Sequence, residues 1–496
     1  MSPSFIFPQG WTNNPASNEY TDFGEEPSEP FIHAGKLKLD SHGLPLEPQP
    51  SDSQLDPLIW QPWVKFAIHI QVSISAFMGL FSQEIISLAY MPLAESMGVT
   101  VKEASYSTTI ATIFAGLAPL IYAPMSNIYG RRPVYLIATA VGVAANAVCA
   151  VCESWTPFLV ARACVGIGSS VGMAIGAAVV TDLFFVHQRG LFMGIYLLFV
   201  ANGAHVATFA GGFIVKNIGW RWCCWVPAIS MGIIWAINML CLPETLYQRD
   251  NPLASSAKKS SWIRILGFTA ARPTYEMRFA SIANSISLLK YPTIVVTTLY
   301  YSIAFGLGTA LIHITGPMAF QEIYHFNICQ IGMAISIPAT IGSILGEFLS
   351  GAMSDEMLYL ARKQHGYADP ETRLHATWIG TSFLPAGVIM QGVCLQYHTH
   401  WAGPVAGIGT TAFGLQIVST PIFGYLVDCY DANAAEISAL LNFGRLMFSF
   451  PLRFYMIPLA NETTYGIAWS ILAIVSIILY VGVIAVMWKG AAWRNA

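Results

Sequence analysis

The chain alternates between long apolar stretches and short polar breaks, and the apolar stretches have the length of a bilayer crossing. Twelve of them, each about 20 residues or longer, cover 64–88, 105–126, 133–152, 156–183, 190–215, 221–242, 292–317, 327–352, 376–396, 402–427, 434–457 and 464–488. At ~1.5 Å per residue each can span ~30 Å of hydrocarbon as a helix. The pattern predicts an all-α membrane protein with twelve transmembrane helices.

The largest polar stretches lie at the start and in the middle. Residues 1–62 hold nine Asp and Glu against Lys36 and Lys38. They are rich in proline and read as a disordered tail. No basic start leads into an apolar core, so the stretch is not a signal peptide. Its end, Asp56 to Trp60 followed by Trp63 and Lys65, suits an interfacial segment. Residues 243–291 form a polar linker with Arg249, Lys258, Lys259, Arg264, Arg272, Arg278 and Lys290, and 489–496 form a short tail. Between them lie two bundles of six predicted helices, 63–242 and 292–488.

A weak internal repeat supports two pseudo-symmetric halves. Gly351 to Asp355 matches Ala123 to Asn127 at an offset of 228, and Tyr425 to Asp428 matches Val179 to Asp182 at 246. Offsets near half the chain are expected of a transporter built from parallel repeats.

Charge sets the expected orientation. With both termini inside, the cytoplasmic segments collect eighteen of the twenty-four Lys and Arg. The outer loops hold Lys102, Lys216 and Arg221, while Arg162, Arg445 and Arg453 fall within spans. That asymmetry follows the positive-inside rule and needs an even number of spans. Composition agrees, with 55% hydrophobic residues, 10% charged and a mean hydropathy of +0.55. Soluble domains carry about 25% charged residues. The net charge of −3 is unremarkable, and no nucleic-acid partner is expected. Nine scattered cysteines form neither a disulfide framework nor a metal spacing. Cys149 and Cys152, three apart in an apolar span, read as small packing residues. No cofactor or metal is expected. The sequon at Asn461 falls in a predicted outer loop, a possible glycosylation site close to the membrane.

The break at 123–133 is a hairpin between two spans. Gly130 permits the turn, and Arg131 and Arg132 place two charges at the water boundary. Residues 123–134 resemble the loop between helices two and three of the major facilitator superfamily, in particular its fungal twelve-span members. Arg162 with Gly166 and Gly168 resembles the family's fourth-helix motif, and Asp182 with Gln188, Arg189 and Gly190 its next loop. Trp220 to Trp222 and Leu242 to Leu246 look like fungal signatures flanking helix six. Asp428 to Tyr430, with Ala435, Glu436 and Arg445, resembles the second half of a subgroup near the drug:proton antiporters, which also includes importers of cations and polyamines. The resemblance implies that Ser126, Asn127, Gly130, Arg131, Arg132, Asp182, Arg189, Asp355 and Asp428 form conformational-switch loops.

Two departures stand out. Asn127 occupies a position where the family usually carries an acid, so the charge relay with neighbouring basic groups is expected to be lost; Asp355 keeps its carboxylate in the second half. The fifth span, Gly203 to Gly212, lacks both prolines of the pattern the family links to antiport, though Gly211 and Gly212 remain.

Ionisable residues inside a membrane are functional candidates because burying them in hydrocarbon is costly. Glu84 and Arg162 lie at similar depth near the outer ends of spans one and four. The family's arrangement sets those helices side by side, which implies an ion pair that opens on protonation or substrate entry; the alternative is a Glu84 that reaches the outer surface. Glu347 lies one turn after Ser343, facing a central cavity or pairing near Asp355. His205 and His313 are candidates for proton coupling, or structural histidines with hydrogen-bond partners. Gly168, Gly172 and Gly176 recur every four residues and predict one tightly packed face of span four; Gly342 and Gly346, and Gly403 and Gly407, do so on spans eight and ten. Phe199, Tyr300, Tyr301, Phe305 and Phe413 are candidate lining for an apolar substrate pocket.

No phosphate-binding loop of the nucleotide-hydrolysing type is present, so an ion or substrate gradient is the expected energy source. The leading reading is a monomeric secondary transporter in the lipid bilayer, with both termini cytoplasmic and the plasma membrane as its expected place. It moves a small organic molecule by alternating access, with proton-coupled export of a drug-like compound or secondary metabolite favoured. Import of an organic cation, polyamine or nutrient is the alternative. A membrane-embedded enzyme is remote, because the nearest histidine pair in sequence, His398 and His400, lies in a predicted outer loop.

Overall fold

The computed structural model describes residue 38 and residues 46–53, 56–247, 285–365, 369–430 and 433–495. Most of the predicted tail and linker lies outside these. Among the described residues there are helices and no strands. Span one is α1 (Pro62–Glu84) continued, through a 3-10 turn, by α2 (Tyr90–Met97). Spans two and three are α3 (Val101–Tyr129) and α4 (Arg131–Val151). Span four is α5 (Trp155–Ser169) and α6 (Val171–Leu183), and spans five and six are α7 (Val186–Asn217) and α8 (Trp222–Cys241). Span seven joins α9 (Pro292–Phe305) to α10 (Leu311–Tyr324) through a π-helical turn. Spans eight to twelve are α11 (Ile328–His365), α12 (Thr377–Gln396), α13 (Ala402–Cys429), α14 (Ala434–Glu462) and α15 (Tyr465–Asn495).

Eleven of the twelve predicted spans are, by length and composition, apolar enough to cross a bilayer. The other, α14, is 29 residues long but carries Glu436, Asn442, Arg445 and Arg453. Leu240, Phe348 and Trp488 are each more than 70% exposed, as lipid-facing side chains should be.

Local chemistry explains the ends. Pro62 and Pro292 open α1 and α9, where a missing N–H costs nothing. At α3 the Thr100 hydroxyl accepts from the Glu103 N–H at 3.2 Å, and the Glu103 carboxylate accepts from the Thr100 N–H at 2.8 Å. Several helices run past their apolar cores. α11 continues thirteen residues beyond the expected end of span eight, from 352 to His365. α15 runs to Asn495, so most of the expected C-terminal tail is helix. α14 extends to Glu462, which puts Asn461 in its last turn and not in a loop.

The two halves repeat their packing at an offset of six spans. In the first, Gly166 lies on the Ala111 carbonyl (spans four and two) and Gly168 on Gly142 (spans four and three). In the second, Gly342 lies on the Gly409 carbonyl (spans eight and ten) and Gly387 on Gly407 (spans nine and ten). Small residues bring these backbones together. The expectation of one glycine face on span four fails, because the helix breaks at Ser170. Gly168 meets α4, Gly172 meets Ala76 of α1, and Gly176 meets the Tyr196 ring of α7. The halves touch chiefly where α3 meets α14 and α7 meets α11, and also where α6 meets α14 and α7 meets α13.

Candidate functional site

At one end of the bundle the short loops bring arginines and carboxylates together. The backbone leaves α3 through Gly130 at φ 99°, and the Glu244 carboxylate fills the space a Cβ would need there. Glu244 accepts from the N–H groups of Arg131 at 2.8 Å and Arg132 at 3.2 Å, so it caps the start of α4. Burial pushes the Glu244 carboxyl above the usual range, opposed by those N–H groups. The Arg131 guanidinium then reaches Ser126 at 2.8 Å, the Asn127 amide oxygen at 2.6 Å and Asp182 at 3.3 Å.

The expected loss of the relay at Asn127 is not what the geometry gives. The other end of the same amide donates to Glu436 at 2.6 Å, across the seam. An aspartate has no donor and cannot make that second bond. The amide thus links Arg131, which keeps Asp182 of its own half, to the Glu436 carboxyl of the facing half.

The equivalent cluster of the second half is built on Arg373, a residue the sequence pattern did not single out. Its side chain, fully buried, pairs with Asp355 at 2.8 Å and Asp428 at 2.7 Å. It also donates to Ser354 at 3.1 Å and, across the halves, to the Val186 carbonyl at 2.9 Å. Arg189 of the first half joins Asp428 at 3.4 Å, and the Leu191 N–H joins Asp355 at 2.9 Å. The switch-loop residues expected from the resemblance are therefore neighbours, and Glu244, Glu436 and Arg373 complete the two clusters.

Further along the α7–α11 seam, Asn202 donates to Ser343 at 3.0 Å. Glu347, 6% exposed, accepts from Gln416 at 2.7 Å and Thr420 at 2.8 Å through one oxygen. Its other oxygen has no hydrogen-bond partner and lies against Gly194 of α7, where no Cβ could fit. Glu347 makes no ion pair among the described residues. It therefore sits in the seam, apart from Arg373.

Toward the opposite end the expected Glu84–Arg162 pair is absent. The Arg162 guanidinium donates to the carbonyls of Ser82 at 3.1 Å, Gln83 at 2.7 Å and Ser107 at 3.3 Å. It ties the end of α1 to α3 through backbone, because α1 gives way to a 3-10 turn just beyond Glu84. His205 and His313 do meet. Nδ1 of one and Nε2 of the other lie 3.1 Å apart, and Thr208 is 2.8 Å from the far nitrogen of His313. This joins α7 to α10, one helix from each half.

At mid-depth α14 aims Ser438, Asn442 and Arg445 at Met173 of α6. The Met173 carbonyl accepts from Ser438 at 3.0 Å and Asn442 at 2.6 Å. Of the aromatic candidates, Tyr301 and Phe305 lie here, buried beside Arg445. Tyr300 instead packs on Tyr480, while Phe413 borders an apolar lateral groove with Pro338, Ile341 and Phe383.

A sequence model of the Major Facilitator Superfamily matches residues 72–450. The chain belongs to that superfamily. MFS-type transporter hepF of Aspergillus oryzae is 28% identical, with 90% of this chain and 93% of the relative covered. Efflux pump radE of Floropilus chiversii is 28% identical over 86% of this chain and 81% of its own. The crystal structure of the human organic anion transporter MFSD10 superposes with a TM-score of 0.64 at 15% identity, covering 86% of this chain and 100% of that one. That likeness concerns the fold. Within the superfamily this chain is a transmembrane transporter and not an enzyme.

Proposed function

We propose that the protein exports a small organic molecule, drug-like or a secondary metabolite, in exchange for protons. The observation that carries this reading is Glu347, a titratable carboxyl buried in the seam with one oxygen unpartnered. A group so placed can bind a proton in one arrangement of the halves and release it in another. The His205–His313 contact is a second titratable joint, and the name of the efflux pump relative favours the outward direction. In this reading the switch loops hold the arginine-rich end shut, and Glu347, about two turns from Asp355 along α11, loads or releases its proton as the halves rearrange. By the positive-inside rule that end and both termini face the cytoplasm, and the six-helix units, joined by the 243–291 linker, rock as a monomer in the plasma membrane.

A second reading, import of an organic cation, polyamine or nutrient, is favoured by α7, which runs unbroken from Val186 to Asn217 without the family's proline kinks. The deciding experiment uses the full-length protein in proteoliposomes under a pH gradient, with lipophilic cations, polyamines and fungal metabolites as substrates. Export predicts movement opposite to protons that disappears in Glu347→Gln. Movement with protons establishes import. Movement indifferent to the gradient makes the protein a facilitator and leaves Glu347 a packing residue.

A further inference from the structure

Arg445 is a buried cation without a counter-ion among the described residues. It is 1% exposed and lies about 16 Å along α14, at ~1.5 Å per residue, inside the bundle. No carboxylate of the described residues pairs with it. Its partners are weak. Nη1 is 3.4 Å from the Tyr301 hydroxyl, Nη2 is 3.0 Å from the Met173 sulfur, and the guanidinium lies over the Phe305 ring at 4.6 Å. Nε has no partner. Arg162, likewise within a span, has three backbone carbonyls, so the poverty of Arg445 is not forced by depth.

The pattern of vacancy is specific. The Nε–Nη2 edge is the side of a guanidinium that takes a carboxylate with two parallel hydrogen bonds. Here one donor of that edge is bare and the other rests on a thioether, a weak acceptor on a flexible stem. Met173 belongs to α6 of the first half and Arg445 to α14 of the second, so parting the halves withdraws the sulfur and frees the edge. Tyr301, Phe305 and Phe423 form an aromatic wall beside it, with Phe423 edge-on to Tyr301 at 5.8 Å.

Building on the transporter reading above, we propose that Arg445 recognises the carboxylate of a lipophilic organic acid, whose apolar body lies along that wall. Met173 occupies the place of the carboxylate while the halves are together. Ser438 and Asn442, two turns and one turn before Arg445 on the same face, hold the Met173 backbone and fix where the sulfur sits. The inference supplies the substrate class that the family alone leaves open.

The test is binding to the purified full-length protein in lipid nanodiscs, with 1-naphthoate and 4-phenylbutyrate each set beside its primary amide. Loss of charge-assisted hydrogen bonds predicts that the carboxylates bind about tenfold or more tightly than the amides. Arg445→Gln abolishes that preference. Arg445→Lys keeps the charge, loses the two-pronged edge and reduces the preference, which guards against a Gln variant that fails to fold. Equal binding of acid and amide, or a preference that survives both substitutions, overturns the proposal. Proteoliposome transport separates the two readings. Carriage of amides or cations with no carboxylate preference leaves a transporter and overturns the role of Arg445. Carboxylate binding through Arg445 with no compound carried upholds the site and overturns transport.

Discussion

Asn127 and Glu436 lie 2.6 Å apart across the seam, and the amide that donates to Glu436 also accepts from Arg131. The bridge works because an amide is donor and acceptor at once. Asn127→Asp faces one carboxylate with another and removes a hydrogen bond to a charged group, a loss of about 1.5–3 kcal/mol. The arginine-rich end then opens more often. Spin-label distances between the ends of α3 and α14 should lengthen and broaden, and Glu436→Gln in the same chain should restore them. Unchanged distances would show that the bridge does not hold the halves.

Arg373 holds two carboxylates, Asp355 and Asp428, in a fully buried place. Arg373→Gln leaves those charges without their cation, which typically destabilises by about 3–5 kcal/mol. The expected result is a marked fall in melting temperature in detergent. Double replacement, with Asp428→Asn added, should recover part of it. A variant as stable as the parent would place the strength of this end elsewhere.

Gly194 and Glu347 share one space. In Gly194→Ala the new methyl meets the Glu347 carboxylate, and the α7–α11 seam must separate, at about 1–3 kcal/mol for an overpacked contact. Transport should fall sharply. The control is Gly232→Ala, where the nearest atom to a new Cβ is Val143 at 3.8 Å, and transport should be unaffected. Equal tolerance of both would argue that the seam is loosely packed.

The His205–His313 contact shares a single N–H between two ring nitrogens. A second proton turns both nitrogens into donors and breaks the bond. Acidification is expected to weaken the tie between α7 and α10, and His205→Phe to flatten the pH profile of transport while leaving expression intact. An unaltered profile would assign the pair to packing alone.

Much was legible in sequence because lipid is a severe solvent. Every backbone group must find an internal partner there, so apolar runs of bilayer length become helices whatever their neighbours. The twelve spans, the Gly130 turn and the grouping of Asp182, Arg189, Asp355 and Asp428 at one end of the bundle followed from that and from resemblance, although all four lie within helices and not in loops. Errors fell where a long-range partner rules. The break at Ser170 divides the span-four glycines among three neighbours, and α11 and α15 continue as helices past their apolar cores. Arg373 lies 18 positions after Asp355 but beyond the end of α11, in a separate 3-10 segment at Pro370–Ala376, so helical periodicity does not link the two.

The sequence by itself determined the class of the protein, the number of its spans, its repeat and the residues costly enough in lipid to merit suspicion. Those are properties of single segments against their solvent. Only the tertiary structure decided which costly groups are satisfied and by what. It gave Arg162 to backbone carbonyls, brought His205 onto His313, set Glu347 against Gly194 and left Arg445 facing a sulfur atom. Hydrogen bonds and ion pairs act over a few ångströms, between residues that the chain separates by tens or hundreds of positions, and only packing of the two halves brings them within reach.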